Sequence, residues 1–489
     1  MTKHAAERSA RTWPGSRAAH VVRLGTTIVA AFTLLLFHPA LAVEGVSRDA
    51  AAQIEALLAE KDARNPAQLK IDSNLLFAVK MNRGEAIAAG VTALRTGIDA
   101  TDFVEVDVSA LRVGPSLLET IKGLGGTLVH VSGTYKTLRV CLPLGAVETL
   151  AAHPSVVFVQ PQQLPLTHRR ESMASKLTTS QGDVTHRANL VRSLYGATGT
   201  GVSIGVLSNG VDALASLQAS GDLPAVTVLP GQAGSGNEGA AMLEIAYDLA
   251  PGARLFFATA GPTIAQFAQN IRDLRAAGCD ILVDDVSYFV ESPFQKGQAP
   301  AVVSPHNGGT VSQAVLDVAD SGALCFSAAG NEGNLADGTG GVWEGDFADG
   351  GPVSSPVAGS GTLHSFGPAT FDTVGNAGLG IVNLHWSDPL GGSANDYDLF
   401  LLDAAGTTVL ASSTNPQTGT QDPYEQISSG VVSGARLVIV KRTGAAARFL
   451  HLNTNRGTLA IATGGQTHGH SALPAPAAYG IGATPAFGA

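Results

Sequence analysis

Residues 201–214 read GVSIGVLSNGVDAL, an apolar strand at 202–207 that runs into a polar turn. Residues 236–253 follow as GNEGAAMLEIAYDLAPGA, with Glu238 at a loop-to-helix junction and Ala250-Pro251-Gly252 closing the helix. The alternation continues downstream. A helix is predicted at 240–249, a strand at 254–258, a helix at 264–277 and a strand at 281–283 that meets Asp284-Asp285. A further helix at 311–319 precedes a strand at 324–327, which ends at Ala328-Ala329-Gly330-Asn331. Strands alternating with helices of this length predict an α/β domain with a doubly wound parallel sheet, its site at the carboxyl ends of the strands.

Upstream the pattern differs. Residues 51–63 have helical apolar spacing and read as a lead-in helix. Strand-like alternation at 103–108, helical spacing at 114–124, a strand pair at 127–131 and 137–142, a helix at 146–152 and a strand at 156–159 follow. That β-α-β-β-α-β order is the ferredoxin-like α+β unit. Residues 160–176 are polar and basic around Arg169-Arg170, and read as an exposed linker that is easily cut. Beyond Asn331 a Gly/Asp/Pro-rich loop reaches Pro356, and short alternating strands at 381–386, 399–402, 437–441 and 449–452 suggest a β-sandwich. Residues 458–462 and 478–483 return to small apolar character, so the sandwich reads as an insertion.

The composition narrows the function. Hydrophobic residues are 45% and charged residues 14%, which excludes general disorder. The formal net charge is −10 and no basic stripe is present, which argues against nucleic acid as a partner. Three scattered cysteines form neither a disulfide framework nor a zinc motif. Residues 1–23 are basic, 24–37 are apolar and uncharged, and 40–42 read Ala-Leu-Ala, together the pattern of a secretory signal peptide cleaved after Ala42. The apolar run is short for a bilayer span, so no stable membrane anchor is expected and the product is secreted.

In residues 201–214, 236–253 and 327–333 (SAAGNEG) the chain resembles the subtilisin and sedolisin superfamily of secreted serine peptidases. Subtilisins follow a V-I-D-x-G strand with H-G-T-x-V-A, and their A-P-x-A begins 12 residues beyond the histidine, as Ala250 lies 12 residues beyond Glu238. A glutamate at that position resembles the Ser-Glu-Asp chemistry of sedolisins. The Gly-Asn segment looks like the oxyanion-hole loop, in which Asn331 would donate to the tetrahedral oxyanion. Residues 103–161 resemble the inhibitory propeptide of these enzymes, and 475–484 the strand that follows the oxyanion loop. Residues 357–457 resemble the β-sandwich modules that secreted bacterial peptidases carry.

The resemblance implies five segments: a signal peptide at 1–42 and a propeptide-like domain with linker at 43–165. A first part of the catalytic domain at 166–356, an inserted sandwich at 357–457 and a continuation at 458–489 complete it. It implies a serine-type endopeptidase precursor acting on polypeptide, with its own propeptide as intramolecular inhibitor and neither cofactor nor metal. Glu238 would be the general base. Either Asp284 or Asp285 would partner it, and strand alternation with the family register favours Asp285. Three departures stand beside these matches. Ser208 occupies the subtilisin Asp position, Met242 occupies the sedolisin Asp position, and no G-T-S-x-x-x-P is present. The nucleophile is therefore expected beyond Ala489, with Ser471 a loop serine and His306, His468 and His470 surface histidines. Asp396 and Asp398 offer too few oxygens for a calcium site. The rival expectation is a catalytically inactive secreted protein that keeps the fold and binds polypeptide or glycan.

Overall fold

The computed structural model describes residues 44–98, 103–167, 179–294, 304, 308–354, 359–464 and 469–482. The signal-peptide reading of 1–42 and residues 168–176 of the basic linker lie outside the described residues.

The strand that opens the argument, Ser203–Ser208, is buried along its whole length. It is central in a six-stranded parallel sheet with the order Tyr479–Ile481, Leu324–Ala328, Ile281–Asp284, Ser203–Ser208, Arg254–Thr259 and Val226–Val228. Side chains alternate across the sheet. Ile204 and Val206 join Leu255, Phe257, Ala240 and Leu243 on the face covered by helix Glu238–Leu249. Leu207 joins Leu282 and Cys325 on the other face, under helices Ile264–Ala276 and Thr310–Asp320. Helices on both faces make the sheet doubly wound.

Gly239 lets helix Glu238–Leu249 sit this close to the sheet. A Cβ there would lie 2.3 Å from Phe257 Cε2 and 2.8 Å from the Gly210 carbonyl oxygen. Gly239→Ala should therefore cost about 1–3 kcal/mol by overpacking. Urea unfolding of the purified protein measures this as a lower midpoint with an unchanged slope.

Strands Phe103–Ala110, Thr127–Ser132, Thr137–Pro143 and Val156–Pro161, with helices Pro115–Gly123 and Val147–Ala151, form a separate antiparallel layer. Its sheet order is Thr127–Ser132, Thr137–Pro143, Phe103–Ala110, Val156–Pro161. Two further antiparallel sheets lie between residues 342 and 459. Trp386, Leu450 and Leu452 from one and Tyr397, Leu399, Leu437 and Ile439 from the other share a single core. The chain enters and leaves this body at one place, since Thr463 N donates to Val342 O at 3.0 Å.

The lead-in helix, Arg48–Asp62, has an unexpected partner. Its Ile54, Leu57 and Leu58 pack with Phe400, Leu402, Val438 and Val440 of the inserted body rather than with the layer at 103–161. Lys61 lies between Asp396 and Asp398, with Nζ 2.6 Å and 2.8 Å from their Oδ1 atoms. A lysine ammonium thus meets the two carboxylates that the sequence offers as oxygen ligands.

Candidate active site

A glycine-rich loop brings the helix start to the end of the central strand. Asn209 Oδ1 accepts from Glu238 N at 3.1 Å, and the Asn209 carbonyl accepts from Ser235 N at 3.1 Å and Thr259 Oγ1 at 2.9 Å. Asp212 Oδ2 accepts from Gly236 N at 2.8 Å. Gly234 has φ +66°, and a Cβ on it would fall 2.0 Å from the Asn209 carbonyl oxygen, so no larger residue fits. These contacts fix Glu238 as the first residue of its helix, at the carboxyl edge of the parallel sheet.

Asp284 ends strand Ile281–Asp284, and Asp285 follows it. Their side chains go to different neighbours, as alternation requires. Asp285 is 9% exposed, and its carboxyl lies beside that of Glu238. Burial first, and then the Glu238 carboxyl and its charge, push the Asp285 carboxyl well above the usual carboxylate range. The Ser208 hydroxyl acts weakly in the other direction. Glu238 Oε2 and Asp285 Oδ1 are buried with no hydrogen-bond partner. Burial and the neighbouring Glu238 carboxyl thus both favour the protonated form of Asp285.

A raised folded pKa means that Asp285 favours the fold most at low pH, and this contribution is lost as pH rises through the folded value. Asparagine mimics the protonated form. Asp285→Asn should therefore raise the melting temperature by about 2–4 °C at pH 7.5, roughly 1 kcal/mol, and leave it unchanged at pH 3. Thermal melts at the two pH values measure the difference.

Asn331 stands on the same edge of the sheet, exposed, three residues beyond strand Leu324–Ala328. That strand is the neighbour of Ile281–Asp284, with Ser327 opposite Asp284. Of the three residues singled out from sequence, Glu238 and Asp285 are thus in contact, and Asn331 lies on the adjoining strand end.

A second polar group sits under the same edge, and sequence reasoning missed it. His470, expected at the surface, is 1% exposed. Its Nε2 lies 3.0 Å from Asp284 Oδ1 and 3.0 Å from Ser327 Oγ, and its Nδ1 lies 3.2 Å from Glu291 Oε2. Glu291 Oε1 accepts from Val311 N at 2.9 Å. Burial pushes the His470 pKa down, but Asp284 and Glu291 outweigh it and raise it to about 10. The group has the composition of a Ser-His-acid triad without its protonation. A charged imidazole accepts no proton, and the Ser327 hydroxyl donates to Asp284 at 2.7 Å. Ser471, expected as a loop serine, is buried in the turn Gly469–Ala472. The available signal was Glu291, an acid directly after the apolar run Tyr288-Phe289-Val290.

Among the described residues no cluster of three or more His, Cys, Asp or Glu side chains could hold a metal ion. No described helix is long and apolar enough to cross a membrane. Cys279 and Cys325 are buried free thiols whose pKa burial raises to about 12.

The chain is similar to several solved serine proteases. With the epidermin leader peptide processing serine protease of Staphylococcus aureus it shares 10% identity and a TM-score of 0.32, over 49% of this chain and 63% of that one. With fervidolysin of Fervidobacterium pennivorans, described as a keratinolytic enzyme related to subtilisin, it shares 13% identity and a TM-score of 0.28, over 47% of this chain and 40% of that one. With the CspB protease of Clostridium perfringens the values are 13% and 0.31, over 57% of this chain and 68% of that one. The match thus spans less than two thirds of the first two proteases. No protein-family model and no curated protein matches the sequence.

Proposed function

We propose that the protein is the precursor of a secreted serine-type endopeptidase of the subtilisin/sedolisin type. The observation that carries this reading is the pairing of half-buried Glu238 with buried Asp285 at the carboxyl edge of a parallel sheet. In the proposed mechanism a serine hydroxyl, supplied downstream of residue 489, attacks the carbonyl carbon of the scissile peptide. Glu238 accepts the hydroxyl proton while protonated Asp285 holds the other Glu238 oxygen. The oxyanion is stabilised by the Asn331 amide. Collapse breaks the C–N bond, Glu238 returns its proton to the leaving amine, and water hydrolyses the acyl-enzyme by the same steps reversed.

The inhibitory role proposed for the N-terminal region has its own support. Strand Leu166–Thr167 pairs antiparallel with Val286–Ser287, immediately after Asp285. An extended segment lies there as a bound polypeptide substrate would. The layer before it rests on the domain through His130, 3.3 Å from Gln266, and through Arg272, 5.9 Å from the Tyr135 ring centroid.

The test compares residues 43–489 with a polypeptide extended through the downstream serine, using casein and a fluorophosphonate label. Only the extended protein should hydrolyse casein and take the label. Labelling of Ser471 in the shorter protein would sink this assignment of the nucleophile. Inactivity of both, with capture of polypeptide or glycan, would favour the binding-protein reading.

A further inference from the structure

The sheet that contains Tyr397–Leu402 and Arg436–Arg442 is buried on both sides. The strands read YDLFLL and RLVIVKR, apolar without interruption at 399–402 and 437–440. A sheet with one face in water alternates apolar with polar residues, and an uninterrupted run demands cover on both faces. Leu399, Leu401, Leu437 and Ile439 turn into the core between the two sheets. Phe400, Leu402, Val438 and Val440 turn outward, and all four are fully buried. Their cover is Ile54, Leu57 and Leu58 of helix Arg48–Asp62, with Phe77 of helix Ser73–Asn82.

Polar contacts fix the register of this interface. Gln53 is doubly bonded to the strand edge, with Nε2 2.9 Å from Thr407 O and Oε1 3.0 Å from Val409 N. Arg64 donates to the Thr414 carbonyl at 2.8 Å, and Ser73 N donates to Asn415 Oδ1 at 2.8 Å. Lys61 is buried against Asp396 and Asp398, and these carboxylates outweigh the burial that would discharge it, so it stays charged. Helix Ser73–Asn82 also gives Leu75, Leu76 and Val79 to the core of the layer at 103–161. One helix therefore ties that layer to the inserted body.

We propose that the inserted body is the anchor of the N-terminal region: when the chain is cut between residues 168 and 178, residues 44–167 remain bound as a second polypeptide, held by helices Arg48–Asp62 and Ser73–Asn82. The inserted body is then a permanent seat for these helices, and a cut in the linker does not by itself clear the segment Leu166–Thr167 from beside Asp285. This inference is independent of the peptidase reading, since it concerns attachment only.

The test inserts a recognition site for a sequence-specific protease between Arg170 and Glu171 of the full chain, cuts it, and follows both fragments by native mass spectrometry and size exclusion on dilution. The expected result is one complex of both fragments at nanomolar concentration. Lys61→Ala, which leaves buried Asp398 and half-buried Asp396 without their cation, should weaken it at least 100-fold. Arg272→Ala, which removes the contact with Tyr135 on the other side, should weaken it less than tenfold. Separation of the unaltered fragments at micromolar concentration, with the larger one soluble and monomeric, would overturn the proposal. So would release by Arg272→Ala but not by Lys61→Ala. Circular dichroism of each uncut variant separates loss of attachment from loss of folding, and the unaltered cut protein decides the matter if a variant does not fold.

Discussion

Glu238→Gln in the extended protein is expected to lower kcat by roughly 10³-fold or more with little change in KM, because an amide cannot take the serine proton in the transition state. The unaltered enzyme should have its rate maximum on the acid side of neutral. Carboxylates as a class are weaker bases than imidazole, so a carboxyl-based mechanism can run in acid where a histidine base would be protonated. The working state also requires Asp285 to keep its proton, and burial with the Glu238 charge extends that state upward in pH. The rate should fall once pH passes the raised Asp285 value. Asp285→Asn removes this alkaline limb and costs less than Glu238→Gln, since an asparagine amide can still donate to Glu238. A pH–rate profile of the three proteins on one peptide substrate measures all of this. A maximum in alkali, or full activity of Glu238→Gln, would reduce Glu238 to a favourable charge at a helix start.

His470→Ala is expected to destabilise the protein by about 3–5 kcal/mol, since it strips two buried carboxylates of the cation between them. The same group sets an alkaline limit on the unaltered protein. His470 titrates near 10 when folded and near 6.5 when unfolded. Its contribution is fully present below pH 6.5 and is lost as pH rises through 10. Melting temperature should therefore decline between pH 7 and pH 10 in the unaltered protein and be flatter in His470→Ala. Parallel slopes for the two proteins would mean that the imidazole is not charged in the fold.

Much of the frame was readable locally, and the reasons are physical. Apolar runs such as 203–208 and 254–259 belong to strands covered on both faces, and Gly-Asn and Pro-Gly turns punctuate them. Two-residue periodicity implied only that one of Asp284 and Asp285 could face Glu238, and the choice of Asp285 needed the register of the family strand as well. The misses share one cause. His470 meets Asp284 and Glu291 across almost 180 residues or more, and Lys61 meets Asp396 and Asp398 across more than 330. Buried ion pairs of this kind follow no local period, so a histidine flanked by glycine and serine reads as exposed until the chain is folded. The helix at Arg48–Asp62 was legible as a helix, but its partner was not. Any amphipathic face fits many sheets, and only the unbroken apolar runs at 399–402 and 437–440 hinted that a cover was required.

The seat of that first helix also sets a clock for folding. Leu58 leaves the ribosome about 380 residues before Val440, the strand residue it finally covers. At 5–20 residues per second, that delay is about 20–80 s, far longer than a helix or hairpin needs to form. For most of it Ile54, Leu57 and Leu58 have only Phe77, Ile87, Val91 and Leu94 of their final neighbours to meet, and the cost of closing the long loop falls due only when the last strands appear. The earliest helix therefore reaches its final seat only after strand Arg436–Arg442 exists.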